Sequence, residues 1–158
     1  MNQKQIGNKN YIIDESLKEL ANKIIKKEPL WFDPEVDNVK LGYMLVYPHI
    51  SKTTAGKCIK SSDELKYFSS YDYVIQMSGE LWDVLGDDEK YILMQHELMH
   101  VFVTYDKKGD IQYKIRQHDF EDFRIIIEKN GMDWLKVINA STETLYDLEP
   151  DPTRKIKL

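Results

Sequence analysis

A chain of 158 residues, 42% hydrophobic and 31% charged, is long enough for one domain with its own core and short for two. Its net charge of −5 argues against a broad basic face for nucleic acid, and no apolar run approaches the length of a membrane-spanning helix. The single cysteine, Cys58, rules out an intramolecular disulfide and a thiolate cluster, so a tightly held zinc must draw on the four histidines and on carboxylates.

The opening MNQKQIGNKN is polar and lacks the apolar stretch of a signal peptide, which predicts a protein that stays in the cytoplasm. Residues 14–28 place Leu17, Leu20, Ala21, Ile24 and Ile25 at helical spacing behind a capping Asp14, so an amphipathic helix is expected, with KIIKKE on its solvated side. Pro29 and Pro34 end it. VKLGYMLVY (39–47) is β-branched and aromatic and reads as a strand closed by Pro48. KCIK is a short strand candidate after the turn-rich SKTTAGK, and YDYVIQMS (71–78) alternates in strand fashion.

After Gly79 the period lengthens. ELWDVL predicts a short helix broken by Gly86, and Asp87 or Asp88 is placed to cap a long one, DEKYILMQHELMHVFVTY, apolar around most of its circumference and therefore buried. DKKGD (106–110) is a loop. HDFEDFRIIIEKNG (118–131) predicts a further helix closed by Asn130 and Gly131, with Phe120, Phe123, Ile126 and Ile127 in the core; Trp82 and Trp134 read as core anchors. The expected fold is α+β: an N-terminal helix, a small sheet, a buried central helix and a C-terminal helix. Residues 1–147 form a single domain in this reading, and 148–158, polar and broken by prolines, a flexible tail.

The central helix carries His-Glu-Leu-Met-His at 96–100. Positions four apart share one helix face, so His96 and His100 aim their imidazoles at a common point, the geometry a zinc ion requires. Glu97 lies roughly 100° around the helix from His96 and about 60° from His100. That leaves its carboxylate beside the ion as a general base for an activated water. Two histidines and a glutamate on an apolar helix need partners, because burying them unsatisfied costs several kcal/mol. A catalytic zinc takes a third protein ligand. His118 suits it, at the start of a helix that a short loop folds back onto the central one, where the helix N-terminus keeps the imidazole neutral. His49, in a Pro-His-Ile loop, reads as a surface histidine. Asp119 is a helix cap, a carboxylate orienting an imidazole, or a ligand; Glu121 is an alternative ligand. Tyr105 and Tyr113 are candidate donors to an oxyanion, against the plainer reading that they pack.

From Tyr73 to Trp134 the order VIQMSGELWDVL, DDEKYILMQHELMHV, a loop with Asp106, Gly109 and Asp110, and then IRQHDFEDFRIIIEKNGMDW resembles the Putative phage metallopeptidase family. The resemblance implies a zincin-like fold, Zn²⁺ held by His96, His100 and His118, Glu97 as base, and a peptide or protein substrate. By analogy with zincins, YDYVIQ would be the sheet edge on which an extended peptide pairs. Two other functions fit these residues: hydrolysis of a non-peptide amide, and a non-catalytic phage protein, stabilised by zinc, that binds a host partner. A fourth protein ligand would favour the latter.

Overall fold

The polar opening folds back on itself. In the computed structural model, which describes residues 2–118, 123–131, 133–151 and 154–158, β1 (Asn2–Ile6) and β2 (Lys9–Ile13) form an antiparallel hairpin. Gly7 and Asn8 make its two-residue turn, with Gly7 at φ 64°, where a Cβ is disfavoured. Next comes α1 (Glu15–Lys27). As expected, Asp14 caps it, accepting from Ser16 N at 2.9 Å, and Leu17, Ala21 and Ile24 form its buried face.

The three predicted strands are present as β3 (Leu41–Tyr47), β4 (Gly56–Lys60) and β5 (Tyr73–Ser78). The sheet runs β1-β2-β3-β5-β4, with β3 and β5 parallel and the other pairs antiparallel. This corrects the expected edge: YDYVIQ belongs to an interior strand flanked by β3 and β4, and the edge beside it is β4. Burial agrees with the correction, since Tyr73, Val74, Ile75, Met77 and Ser78 are all buried, so β5 is covered on both faces. Between β4 and β5, α2 (Asp63–Ser69) was not predicted. None of its residues is buried, so it carries no apolar period to read.

The helical half begins with α3 (Gly79–Val84) and α4 (Asp87–Leu98). Gly86 holds the cap position of α4, and Asp87, Asp88 and Glu89 occupy its first turn, where their charge favours the helix dipole. The long helix expected through Tyr105 stops at Leu98. VFVTY, five β-branched or aromatic residues, becomes β6 (Val101–Tyr105) and pairs antiparallel with β7 (Ile111–Ile115) in a two-stranded sheet. His118 lies in an irregular stretch after β7; residues 119–122 of its expected helix lie outside the described residues, and since Phe123 is not helical the described helix, α5 (Arg124–Asn130), is shorter than the 118–131 expected. Gly131, at φ 71°, ends α5 as predicted. α6 (Asp133–Tyr146) was not foreseen as a helix.

Helix α4 is central. It packs on β4 and contacts α1, α5 and α6. Trp82, Phe123, Ile126 and Trp134 are core residues as expected, whereas Phe120, and the side chain of Ile127, lie outside the described set. No described helix is long and apolar enough to cross a membrane.

Tyr73 ties the two sheets together. Its hydroxyl accepts from Lys114 N at 2.9 Å and faces the carbonyls of Phe102 and Lys114 at 3.0 and 2.8 Å. Burial pushes the phenol up, with the backbone bonds to Lys114 and Phe102 only partly opposing it. It therefore stays protonated and donating at any pH the fold meets. Tyr73→Phe is expected to destabilise the protein by about 1–3 kcal/mol, since it strands buried backbone partners, as read by urea or thermal unfolding. An unchanged stability would mean that the hairpin is held by packing alone.

Candidate metal centre

The last turn of α4 tightens. Met99 N donates to Gln95 O at 3.0 Å, and His100 N donates to Glu97 O at 3.2 Å, an i to i+3 bond that carries the helical path two residues beyond Leu98. The i, i+4 relation of His96 and His100 thus survives the helix end, with ring centroids 5.2 Å apart. From His100 the chain runs out along β6 and back along β7. The hairpin register sets Arg116 opposite His100, with Arg116 N donating to His100 O at 2.8 Å. Two residues on, His118 has returned to the site. A β-hairpin performs the return that a helix pair was expected to perform.

The three imidazoles converge. His118 Nε2 is 2.9 Å from His96 Nε2 and 2.9 Å from His100 Nε2, and ligand atoms of the three residues lie within 4.8 Å of one another. His100 Nδ1 is 2.7 Å from Arg116 O. A carbonyl only accepts, so this nitrogen carries the proton, and in the neutral ring the lone pair is on Nε2, aimed at the cluster. If His118 Nε2 carries a proton, it can point at only one of its two neighbours. A cation between three lone pairs suits all three. Two nitrogens about 2.0–2.1 Å from a tetrahedral zinc stand roughly 3.3 Å apart, so the two 2.9 Å contacts of His118 need to open only slightly. The donor set fits a borderline-soft divalent ion.

The surroundings are apolar. The ring of Phe123, itself fully buried, lies 5.1, 5.1 and 5.3 Å from those of His96, His100 and His118, and Trp134 lies 6.0 Å from His96. A low-dielectric wall of this kind strengthens electrostatic interactions within the site. Sequence reasoning placed Phe123 in the core, and the HDFEDF spacing alone does not reveal that it backs all three rings.

Glu97, also fully buried, faces β4. A Cβ built on Gly56 would lie 2.7 Å from Glu97 Oε1. Cys58, two residues along the same strand, has its thiol pushed well up, first by burial and then by the Glu97 charge. The edge strand therefore runs directly past the carboxylate, and glycine is the residue that leaves room for it. No sequence signal marked Gly56, because its role depends on a contact with a residue forty-one positions away.

The other candidates are placed elsewhere or not described. Tyr105, mostly exposed at the end of β6, hydrogen-bonds the Asp37 carboxylate, and that bond holds its phenol up. Tyr113 lies under the Lys66 ammonium, 4.0 Å from its ring centroid, and packs 6.0 Å from Tyr73. His49 packs edge-on against Tyr146, centroids 5.1 Å apart. Asp119 and Glu121 lie outside the described residues.

A family model described as Putative phage metallopeptidase matches residues 9–146. No curated protein matches the chain, and neither does any solved structure.

Proposed function

The chain therefore belongs to the Putative phage metallopeptidase family, and we propose that it is a zinc-dependent peptidase of zincin-like design, built as one domain over residues 1–147 and acting on peptides or proteins in the cytoplasm. The observation that carries this reading is the convergence of the His96, His100 and His118 Nε2 atoms one residue from a buried Glu97, beside a sheet edge. In it the three histidines are the ligands and Glu97 is the general base.

Zinc, when bound there, supplies Lewis acidity toward a peptide carbonyl and toward a water. The chain's own groups do the rest. Arg116 O, accepting from His100 Nδ1, fixes one ring's tautomer and orientation. Phe123 and Trp134 give the rings an apolar wall on one side. A Glu97 carboxylate oxygen takes a proton from the attacking water as its oxygen bonds to the scissile carbon. The same oxygen then delivers that proton to the amide nitrogen as the C–N bond breaks, so protons balance across the reaction. An oxyanion role for Tyr105 or Tyr113 would require each to leave the partners just described.

Elemental analysis of the purified protein tests the ligand set. About one zinc per chain is expected, with severe loss in His118→Ala and full retention in Glu97→Gln. A His118→Ala chain that keeps its zinc would remove His118 as a ligand and turn attention to Asp119, Glu121 or His49. A well-folded wild type that binds no metal would sink the peptidase reading.

A further inference from the structure

The residues after α6 return to the metal centre. Arg154 is anchored on α6, its Nη1 2.9 Å from Glu143 Oε1, both side chains largely buried, and its Nη2 donates to Glu149 O at 2.8 Å. Three residues on, Lys157 N donates to Thr53 O at 2.7 Å and Lys157 O accepts from Ala55 N at 2.8 Å. These bonds form a parallel bridge between Lys157 and Thr54, two residues before edge strand β4 begins at Gly56. Between the anchors the chain alternates: Ile156 and Leu158 are half-buried and pack on the core, while Lys155 and Lys157 are exposed. This is the period of a strand laid on a surface. A cleft of about 720 Å³ is lined by Gly56, Lys57, Leu135, His118 and the segment itself. The segment thus shares one cleft with a proposed metal ligand and with the glycine that faces the proposed base.

We infer that Arg154–Leu158 is an intramolecular competitor at the peptide cleft, docked as an extended strand on the backbone track beside the entrance to β4, and that a peptide pairing along this track must displace it. The inference rests on the peptidase reading only for the purpose of the cleft. Backbone pairing plus apolar side chains at alternate positions is how a sheet edge accepts any extended peptide, so the segment holds this track by the interactions a substrate would use. Among the described residues its hold includes the bridge at Thr54, the Arg154–Glu143 ion pair, the Arg154 bond to Glu149 O and two half-buried apolar side chains. A short terminal-strand contact of this kind opens locally at a lower free energy than the core does, so docked and released forms can exchange. Tethering gives it an effective concentration in the millimolar range, enough to compete with dilute peptides and to yield to abundant ones.

Two full-length variants test this. Lys157→Pro removes the N–H that bonds Thr53 O, and Arg154→Gln removes the ion pair to Glu143. Amide hydrogen exchange at Ala55 reports docking directly, because that N–H is held by Lys157 O. Exchange is expected to accelerate in both variants while their unfolding midpoints stay near that of the wild type. In parallel, fluorescence anisotropy follows binding of a labelled, acetylated and amidated Arg-Lys-Ile-Lys-Leu peptide to metal-free protein. The expected result is binding about tenfold tighter to each variant than to the wild type, whose own tail competes. Unchanged exchange at Ala55 in both variants would overturn the inference, as would equal peptide affinity for all three chains or no binding to any. Neither readout needs hydrolysis. A chain that binds the peptide as expected yet cleaves nothing would remove the peptidase reading and leave the tail's role standing.

Discussion

A Glu97→Gln chain is expected to keep its metal and its fold and to lose kcat for peptide hydrolysis by a factor of about 10²–10⁴, the range a positioned acid–base group contributes. Glutamine has nearly the shape of glutamate, so the packing around this fully buried side chain is retained. What disappears is the ability to take a proton from water and return it to the departing amine. Stability separates this from a trivial loss of structure. A neutral amide is cheaper to bury than a carboxylate, so the unfolding midpoint should hold or rise while activity falls. The measurements are kcat, zinc content and thermal unfolding on the same preparation. Full activity in Glu97→Gln would show that another group moves the proton, and the assignment of Glu97 would fail.

The motif at 96–100 was legible because its meaning is local: i and i+4 share a helix face whatever the rest of the chain does. Even there the helix ends at Leu98, and a single 3.2 Å bond from His100 N to Glu97 O preserves the geometry. His118 was legible as a residue but not by its route. VFVTY continues the apolar run of α4 without a proline or glycine to stop it, and only its pairing with IQYKI across the Asp106–Asp110 turn decides for strand. The N-terminal hairpin gave little signal because one of its strands, NQKQI, is almost wholly polar. The edge strand was misplaced for a related reason. Alternation in YDYVIQMS suggested one exposed face, whereas neighbours on both sides and cover on both faces are properties of the assembled sheet. Gly56 and the tail at Thr53–Ala55 belong to the same class: each acts through a partner far away in sequence, and no local pattern encodes such a partner.

Gly56 offers the sharpest test of that assembled geometry. Its backbone is not at positive φ, in contrast to Gly7, Gly109 and Gly131, so alanine fits the backbone at this position without strain. The cost of Gly56→Ala comes from space alone. The added methyl would lie 2.7 Å from Glu97 Oε1 and 3.1 Å from Met77 Sδ. Methionine is flexible and can give; the carboxylate is enclosed and must be displaced by several tenths of an ångström or more. Misplacing a reacting group by about 1 Å costs on the order of 10²-fold in rate and a smaller shift costs less, so kcat in Gly56→Ala is expected to fall by roughly 10- to 10²-fold with zinc content unchanged. Unaltered kcat would mean that the Glu97 carboxylate does not need its present position. The loss should also depend on the carboxylate it disturbs. Introduced into Glu97→Gln, Gly56→Ala should reduce kcat little further, whereas independent effects would multiply. Multiplying losses would place the action of Gly56 on the substrate track of β4 instead of on the base.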